Sequence, residues 1–263
     1  MAITTGLSPK HYLINGQNGA VGILIKEYFK SIENINLSKD FISADVMLHL
    51  AASSRIENIL SSNISYLNEV VQYCLKNDIK NLVFFSSVSI YGKQDKLNIQ
   101  EDSVSIDLDL YASSKLFAEQ YLKSIKDINI LILRLPAILT KNSNTYISRI
   151  LDDLKINKDI ILYNYNEKFN SFTSTEDIAR FINNYDFNKK FEVINFASEQ
   201  NQTLRDVVEY LKDLLNSQSK ITFDIEKKPY YNIAITKLVK DYSFTPLSYK
   251  HNLRNWVEFN NEK

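Results

Sequence analysis

The chain of 263 residues contains one cysteine, five glycines and four prolines, and its charges balance. The single cysteine, Cys74, excludes an intrachain disulfide, and its place in an apolar pattern of helical period predicts a buried thiol rather than a nucleophile. Because 31 basic residues are matched by 31 acidic ones, no overall field favours nucleic acid or an anionic membrane. Any anionic ligand must therefore be bound locally.

Long apolar runs are also missing. Even the run Ile130–Leu133, which no other apolar run exceeds in length, ends at Arg134 and is too short to span a bilayer. The segment Met1–Lys10 lacks the apolar core of a secretory signal. We therefore expect a soluble, cytoplasmic protein that binds neither a membrane nor nucleic acid.

Short apolar segments alternate with amphipathic stretches of helical period, which is typical of βαβ units that build a parallel sheet covered by helices. The pattern therefore predicts an α/β fold. The predicted strands lie near His11–Asn15, Val46–Leu50, Asn81–Ser86, Ile128–Leu133 and Phe191–Phe196, and the predicted helices are Ala20–Lys30, Ile56–Asn77, Tyr111–Ile125, Thr145–Asn157, Thr175–Asn184 and Leu204–Ser217.

A glycine-rich loop follows the first predicted strand. Gly16, Gly19 and Gly22 are spaced as Gly-x-x-Gly-x-x-Gly, with Gln17 and Asn18 between the first two, and the loop opens an amphipathic helix. Glycine permits a tight turn and a close approach of backbone to a pyrophosphate, and a helix N-terminus offers unpaired N–H groups. The loop predicts a dinucleotide site, and a strand-to-helix turn without a ligand is the alternative.

Tyr111 and Lys115 lie four residues apart at the start of a predicted helix, so their side chains share one face. A nearby ammonium favours the phenolate of a tyrosine, which makes Tyr111 a candidate proton shuttle. Tyr185 and Lys189 repeat the spacing in a polar stretch that is predicted to be a loop. Only Tyr111 has Ser87 at the end of an apolar strand 24 residues upstream, where a hydroxyl could polarise the same substrate oxygen.

Taken in order, these segments resemble the extended short-chain dehydrogenase/reductase family, the NAD-dependent epimerases, dehydratases and reductases of sugar nucleotides. The resemblance runs from His11 to Trp256. Its elements are the glycine loop, Asp45-Val46-Met47-Leu48-His49-Leu50-Ala51-Ala52, Asn63, Phe85-Ser86-Ser87-Val88-Ser89-Ile90-Tyr91-Gly92, Tyr111-Ala112-Ser113-Ser114-Lys115, Arg134-Leu135-Pro136 and Thr175-Glu176-Asp177-Ile178-Ala179.

The resemblance implies a Rossmann-like doubly wound parallel sheet. Residues 1–135 would form the dinucleotide-binding domain, and residues 136–263 would complete the sheet and form a smaller C-terminal substrate lobe. The expected cofactor is NAD or NADP, the expected substrate is a nucleotide-linked sugar, and His49 is expected to be structural, with no metal site. In this family the helices Ile56–Asn77 and Tyr111–Ile125 often pair with their copies, which implies a homodimer.

The resemblance also assigns site residues. Lys115 would bind the nicotinamide ribose, while Ser87 and Tyr111 would act on the substrate. The other cofactor contacts would come from Gly16, Gln17, Asn18, Gly19, Gly22, Ala51, Ala52, Ser86, Tyr111 and Pro136, and Ser89 would lie beside the substrate.

The chain departs from the family pattern between its first two motifs. Only 33 residues separate Gly16 from His49, so about one βα unit is missing, together with the acidic residue that binds the adenosine ribose. The segment Asn34–Ser38 could supply a substitute strand, with Asn36 and Leu37 nearest the adenine. Weak cofactor binding and little discrimination between NADH and NADPH are therefore expected.

Further departures concern the substrate. Ala137 stands where many relatives have an asparagine, and Asn170 where they have an arginine that binds the diphosphate. Lys227 and Lys228 are candidate replacements, and a solvated basic pair is the alternative.

These departures favour one function within the family. Val88 and Ser89 follow Ser87 in place of the Asp-Glu pair that a 4,6-dehydratase needs. A shortened adenosine pocket favours a dissociable cofactor, so a 4-keto-sugar reductase is preferred over a 4-epimerase with retained NAD. A catalytically silent family member that serves binding or assembly is the third possibility.

Overall fold

The structure is a computed structural model, and it describes residues 10–32, 35–37, 44–53, 55–94 and 97–261. Its strands are β1 (Lys10–Asn15), β2 (Ile35–Leu37), β3 (Val46–His49), β4 (Asn81–Ser87), β5 (Asn98–Ile99), β6 (Asn129–Leu135), β7 (Ala137–Ile138), β8 (Ile160–Leu162), β9 (Phe172–Thr173), β10 (Phe191–Asn195), β11 (Ile221–Phe223) and β12 (Asn232–Ile233). Its α-helices are α1 (Ala20–Lys30), α2 (Tyr66–Lys76), α3 (Leu110–Ser124), α4 (Tyr146–Lys155), α5 (Thr175–Asn184), α6 (Leu204–Leu215), α7 (Thr236–Tyr242) and α8 (Tyr249–Asn261).

The main sheet contains, within these residues, six parallel strands in the order β2-β1-β3-β4-β6-β10. The chain moves outward from β1 to β2, returns past β1 to β3 and then continues to the opposite edge. Open α/β sheets bind ligands where the strand order reverses in this way. The reversal between β1 and β3 therefore places the glycine loop and the residues after β3 at the expected ligand position.

Helices cover both faces of this sheet. On one face Tyr12 and Ile14 of β1 belong to a core with residues of α1 and α5, and on the other Met47 of β3 belongs to a core with residues of α2 and α3. The alternation follows from the two-residue period of a strand. The predicted doubly wound α/β architecture is confirmed, and β2 is the one strand that the described residues place between β1 and β3.

A second core lies in the C-terminal half. It joins α4, α6 and α8 to the small parallel pair β8–β11, and the indole of Trp256 in α8 donates a hydrogen bond to the Thr140 carbonyl at 3.0 Å. Strand β10 and helix α5 belong instead to the main sheet and its core. The chain from β7 onward thus both extends the sheet and builds a separate lobe, the division that we propose for residues 136–263.

The predicted helix Ile56–Asn77 is divided. It consists of a 3-10 turn at Ile56–Asn58, a π-helical turn at Ser61–Ser65 and then α2. Asn63, in the π-helical turn, is 1% exposed, and its amide bonds both the N–H and the carbonyl of Ser53 and donates to the Ser114 hydroxyl at 3.0 Å. A π-helical turn often marks a functional position, and here it ties α3 to the loop after β3.

Most of the apolar side chains compared here, on the two helices of the dimer prediction, are buried in the core of the chain itself. Leu67 and Val71 of α2 and Leu122 of α3 are fully buried in the core, whereas Phe117 of α3 is 56% exposed. Of these four residues on the two helices of the predicted homodimer, only Phe117 has a side chain that is available to a partner. Cys74 is buried, as the sequence predicts, and burial raises its pKa to about 12. In the part of the chain that the structure describes, no helix is long and apolar enough to cross a membrane.

Candidate active site

The glycine loop connects β1 to α1. Gly16 has a φ of +89°, which favours glycine, and a Cβ at Gly22 would lie 2.2 Å from the Gly16 carbonyl oxygen. A Cβ at Gly19 would meet only that oxygen, at 3.4 Å. Gly19 is the N-cap of α1 and no side chain caps this helix, so its first N–H groups are free for a ligand. The loop therefore fits a pyrophosphate.

A cavity of about 480 Å³ opens directly at this loop. Its lining begins with Asn15–Gly19, including Gln17 and Asn18, and continues away from the loop between the sheet and α2. The remaining described residues of the wall are Leu13, Ile14, Met47, Tyr66, Glu69, Val70 and Tyr73. The Asn15 amide donates to the Tyr66 hydroxyl at 2.6 Å and links the loop to α2.

The other predicted dinucleotide residues lie around the same end of the sheet. Asn36 and Leu37 are in β2, paired with His11 and Tyr12 of β1. Ala51 and Ala52 follow β3, and the backbone N of Ala51 lies 3.0 Å from where a Cβ of Gly16 would be. The loops after β1 and β3 are thus in close contact at the reversal of the strand order.

Ser87 and Tyr111 meet at the end of β4. The Ser87 hydroxyl lies close enough to the Tyr111 phenol to influence its pKa, and it accepts the Ser89 N–H at 3.1 Å. Burial raises the pKa of the Tyr111 phenol, while the nearby Ser87 hydroxyl acts in the opposite direction. The free protein therefore holds a protonated phenol that needs nearby positive charge before it can act as a base.

Lys115 supplies that charge one turn along α3. Its ammonium is 2% exposed, donates to the Phe85 carbonyl at 2.8 Å and lies 6.0 Å from the centre of the Tyr111 ring. Burial lowers its pKa to about 8, and the charge of Glu119 acts in the opposite direction. Tyr111, Lys115 and Ser87 are therefore brought together as the sequence predicts.

His49 packs beside this group. Its ring stacks on Phe84 at 5.9 Å, and its Nδ1 lies 3.2 Å from the Asn15 side-chain oxygen. Burial, and then the charge of Lys115, lower its pKa to about 3. The imidazole is therefore neutral, and its place between the strands agrees with a structural role.

A buried polar network links α3 to the ends of β4 and β6. Sequence reasoning did not identify it. Glu119 receives hydrogen bonds from the Arg134 guanidinium, at 2.7 Å for the shortest, and from the Ser86 hydroxyl at 2.5 Å. Arg134 also donates to the Tyr91 hydroxyl at 2.8 Å. The Ser86 hydroxyl therefore gives its proton to Glu119, and its predicted contact with the cofactor stays a prediction. The sequence indicates Glu119 only through its position four residues after Lys115, which places both side chains on the same face of the helix.

A second cavity, of about 500 Å³, lies between the end of β4 and the C-terminal lobe. It is lined by the predicted residues Ser87, Ser89, Pro136 and Ala137. The Ser89 hydroxyl is buried and has no hydrogen-bond partner among the described residues. The sequence did not identify the other described lining residues, which are Val88, Thr145, Phe169, Ser171, Tyr230 and Tyr231.

Residues 26–196 match the NAD dependent epimerase/dehydratase family. The chain belongs to this family. It is 27% identical over 197 residues to the uncharacterized protein MJ1055 of Methanocaldococcus jannaschii, covering 68% of this chain but 59% of that protein. It is 23% identical over 266 residues to a protein of the same organism named "Putative UDP-glucose 4-epimerase", covering 87% of each chain.

A solved structure has the same fold. The UDP-N-acetylglucosamine 4-epimerase of Methanobrevibacter ruminantium M1, in complex with UDP-N-acetylmuramic acid, superposes with a TM-score of 0.76 at 20% identity, over 96% of this chain and 98% of that one. The likeness to this epimerase extends through the C-terminal lobe as well as the sheet.

Among the predicted substrate residues of this family member, Asn170 needs correction. It is 0% exposed, its amide donates to the Ile233 carbonyl at 2.8 Å and to the Ser198 carbonyl at 3.3 Å, and it accepts the Ile233 N–H at 3.1 Å. The side chain ties three loops of the lobe together and has no free group for a substrate diphosphate.

The two lysines of the lobe are paired with carboxylates. Lys227 bonds Glu167, and Lys228 bonds Glu226 while its ammonium lies 4.7 Å from the centre of the Tyr163 ring. Lys228 also lines a cavity of about 260 Å³ that shares Phe169 and Tyr230 with the substrate cleft. Lys228 is therefore the better placed of the two, and Lys227 fits the alternative of a solvated base.

Tyr185, the comparison residue, is placed quite differently from Tyr111. It follows α5, is 3% exposed, and packs against Tyr242 and Phe181 with ring centres 5.5 and 5.6 Å away. Burial raises its pKa beyond any catalytic range. It does not line the substrate cleft in the described residues.

Proposed function

We propose that this protein is an NAD-dependent 4-epimerase of a nucleotide-linked sugar. The observation that carries the proposal is that Ser87 lines the substrate cleft within reach of Tyr111, with Lys115 buried one helical turn along from Tyr111. The epimerase is preferred to a reductase because the relative that matches 87% of the chain bears an epimerase name.

In this proposal Tyr111 removes the proton from the sugar hydroxyl at carbon 4 and later returns it. Ser87 donates a hydrogen bond to the same oxygen and holds it beside the phenol. The Lys115 ammonium stabilises the phenolate electrostatically, which counters the effect of burial on the pKa of Tyr111. Bound NAD would supply the hydride acceptor and donor at the sugar carbon.

The residues in place fit such a cofactor. The uncapped start of α1 and the absence of a side chain at Gly19 suit the pyrophosphate. Lys115 is close enough to the site to exchange its bond with the Phe85 carbonyl for ribose hydroxyls. Pro136 lies in the wall of the substrate cleft, where the two ligands would meet.

A 4-keto-sugar reductase is the second candidate. It is favoured by the short connection between β1 and β3, which lacks the family's ribose-binding carboxylate. A cofactor that dissociates after each turnover suits a reductase, whereas an epimerase retains it. The same Ser87 and Tyr111 chemistry serves both.

Two parallel incubations distinguish these candidates. Purified protein is given UDP-glucose with NAD, and separately a 4-keto nucleotide sugar with NADH or NADPH. Formation of UDP-galactose without net change in NADH absorbance supports the epimerase. Consumption of NADH or NADPH with no epimerised product places the reductase first, and the absence of both reactions across a panel of nucleotide sugars contradicts an enzymatic function.

The catalytic role of Tyr111 is tested by Tyr111→Phe. Loss of the phenol should reduce turnover by about two to four orders of magnitude, the usual range for a general acid or base. Tyr185→Phe is the matched control and should leave turnover nearly unchanged, because this ring lies in an aromatic cluster away from the cleft. Equal and small effects of the two substitutions, in folded proteins, would remove Tyr111 from the mechanism.

A further inference from the structure

The cavity at the glycine loop continues along α2 as a groove. Tyr66, Glu69, Val70 and Tyr73 form its wall on α2, and Leu13 and Met47 form its wall on the sheet. We call this space the α2 groove. The four helix residues lie on one face, because positions three, four and seven residues apart are neighbours on a helix. They span about 10 Å of helix length.

The short connection between β2 and β3 explains this space. Eight residues, 38–45, join β2 to β3, too few for a strand and a crossover helix, which together need about ten or more. The side chains of Leu13 and Met47 on the α2 side of the sheet consequently line a cavity. The missing βα unit thus removes one adenosine pocket and opens another space next to the phosphate-binding loop.

We propose that the α2 groove binds the adenosine half of the dinucleotide, and that Glu69 accepts hydrogen bonds from the adenosine ribose. This inference rests on the proposed function, since it requires a dinucleotide at the glycine loop. It assigns the ribose contact to α2, instead of to the strand edge where Asn36 and Leu37 lie.

The chemistry of the groove suits adenosine. Its volume lies within the usual range for small-molecule sites, and Leu13, Met47 and Val70 offer an apolar surface to a purine face. Tyr66 and Tyr73 add aromatic edges. The groove and the loop share one cavity, so a ligand whose phosphates lie at Gly16–Gly19 can extend into the groove without crossing a barrier.

Glu69 is the acidic group of this wall. Its carboxylate is exposed and makes no ion pair or hydrogen bond with another described residue. A carboxylate that accepts from ribose hydroxyls forms charge-assisted bonds. No lysine or arginine is among the described residues that line the groove, so the charged group that these residues present to a 2′-phosphate is the Glu69 carboxylate. NAD should therefore be preferred to NADP, in place of the weak discrimination expected from the sequence.

The test uses ADP-ribose and its 2′-phosphorylated analogue, titrated calorimetrically into the full chain. The variants are Glu69→Gln and Glu69→Lys. Glu258→Gln is the matched control, since Glu258 is an exposed glutamate on α8, in the other lobe. Wild type should bind ADP-ribose more tightly than the analogue. Glu69→Gln should weaken ADP-ribose binding about tenfold, Glu69→Lys should reverse the preference, and Glu258→Gln should match wild type.

The outcomes separate this inference from the proposed function. If wild type binds ADP-ribose and Glu69→Gln binds it equally well, the adenosine ribose lies elsewhere and the inference is overturned, while the epimerase proposal stands. If wild type binds neither ADP-ribose nor NADH, both are overturned. A preference for the 2′-phosphorylated analogue by wild type contradicts the role of Glu69 alone.

Discussion

Lys115→Met should stabilise the protein in the absence of cofactor, although Lys115 belongs to the proposed catalytic group. The wild-type ammonium is buried beside the Phe84 ring and makes one hydrogen bond, to the Phe85 carbonyl. Burial without full solvation disfavours the charged form. Methionine has a similar length and no charge, and therefore removes this cost.

The magnitude follows from the pKa. Burial lowers the pKa of Lys115 from 10.5 to about 8, which corresponds to about 3 kcal/mol at neutral pH. The variant leaves the Phe85 carbonyl without this donor, a loss of about 1 kcal/mol. The net gain is about 2 kcal/mol, or about 4–8 °C in Tm for a chain of this size.

The sign of the pH dependence is fixed by the same pKa. Between about pH 8 and pH 10.5 the unfolded chain binds a proton at this lysine that the native state does not, so wild-type stability rises with pH in that window. The advantage of Lys115→Met is therefore fully present below pH 8. It should shrink by about 2 kcal/mol by about pH 10.

Urea denaturation of both proteins at pH 7 and pH 10 measures the effect. Lys123→Met is the control, because Lys123 lies on the same helix with its side chain exposed, and it should change the free energy of unfolding by less than about 0.5 kcal/mol. If Lys115→Met destabilises the protein at pH 7, or gives a gain that does not depend on pH, the reasoning is refuted.

Three further results are expected. Gly19→Val should abolish the thermal shift produced by NADH and keep the fold, because its Cβ would make only an ordinary contact, with the Gly16 carbonyl oxygen at 3.4 Å, and an unchanged shift would contradict the role of the loop. Glu119→Gln should lower the free energy of unfolding by about 3–5 kcal/mol in urea, since it leaves Arg134 buried without its carboxylate; a change below about 1 kcal/mol would refute the importance of the pair. Light scattering should find a dimer at micromolar concentration that Phe117→Glu converts to a monomer, and a wild-type monomer would remove the dimer prediction.

The sequence predicted the sheet well because parallel strands buried on both faces appear as short continuous apolar runs. Segments such as Asn81–Ser86 and Ile128–Leu133 lie within one or two residues of β4 and β6. The helices α7 and α8 were not predicted. In α8 the buried residues Leu253, Trp256 and Val257 do follow helical spacing, so a signal was present in the tail.

The site was predictable only where local motifs determine it. Ser87, Tyr111 and Lys115 lie at a strand end and on the first turns of a helix, and these positions follow from the chain itself. The roles of Asn170 and Lys227 depend on which loops of the lobe pack against them, and no local pattern carries that information. The α2 groove lies where the chain lacks a βα unit. The sequence shows that this unit is missing, but it does not show that a cavity lies between α2 and the sheet.

The short strand β2 has a consequence for engineering the chain. It pairs with β1 through three residues at the end of the sheet, whereas β4, which ends at Ser87, and β6, which directly precedes Pro136, lie on the far side of β3. Parallel sheets can be extended at an outer strand without altering pairings further in. A βα insert placed between Leu37 and Ala44 could therefore lengthen the sheet outward, and the catalytic half would serve as an unchanged host for grafted cofactor-binding segments.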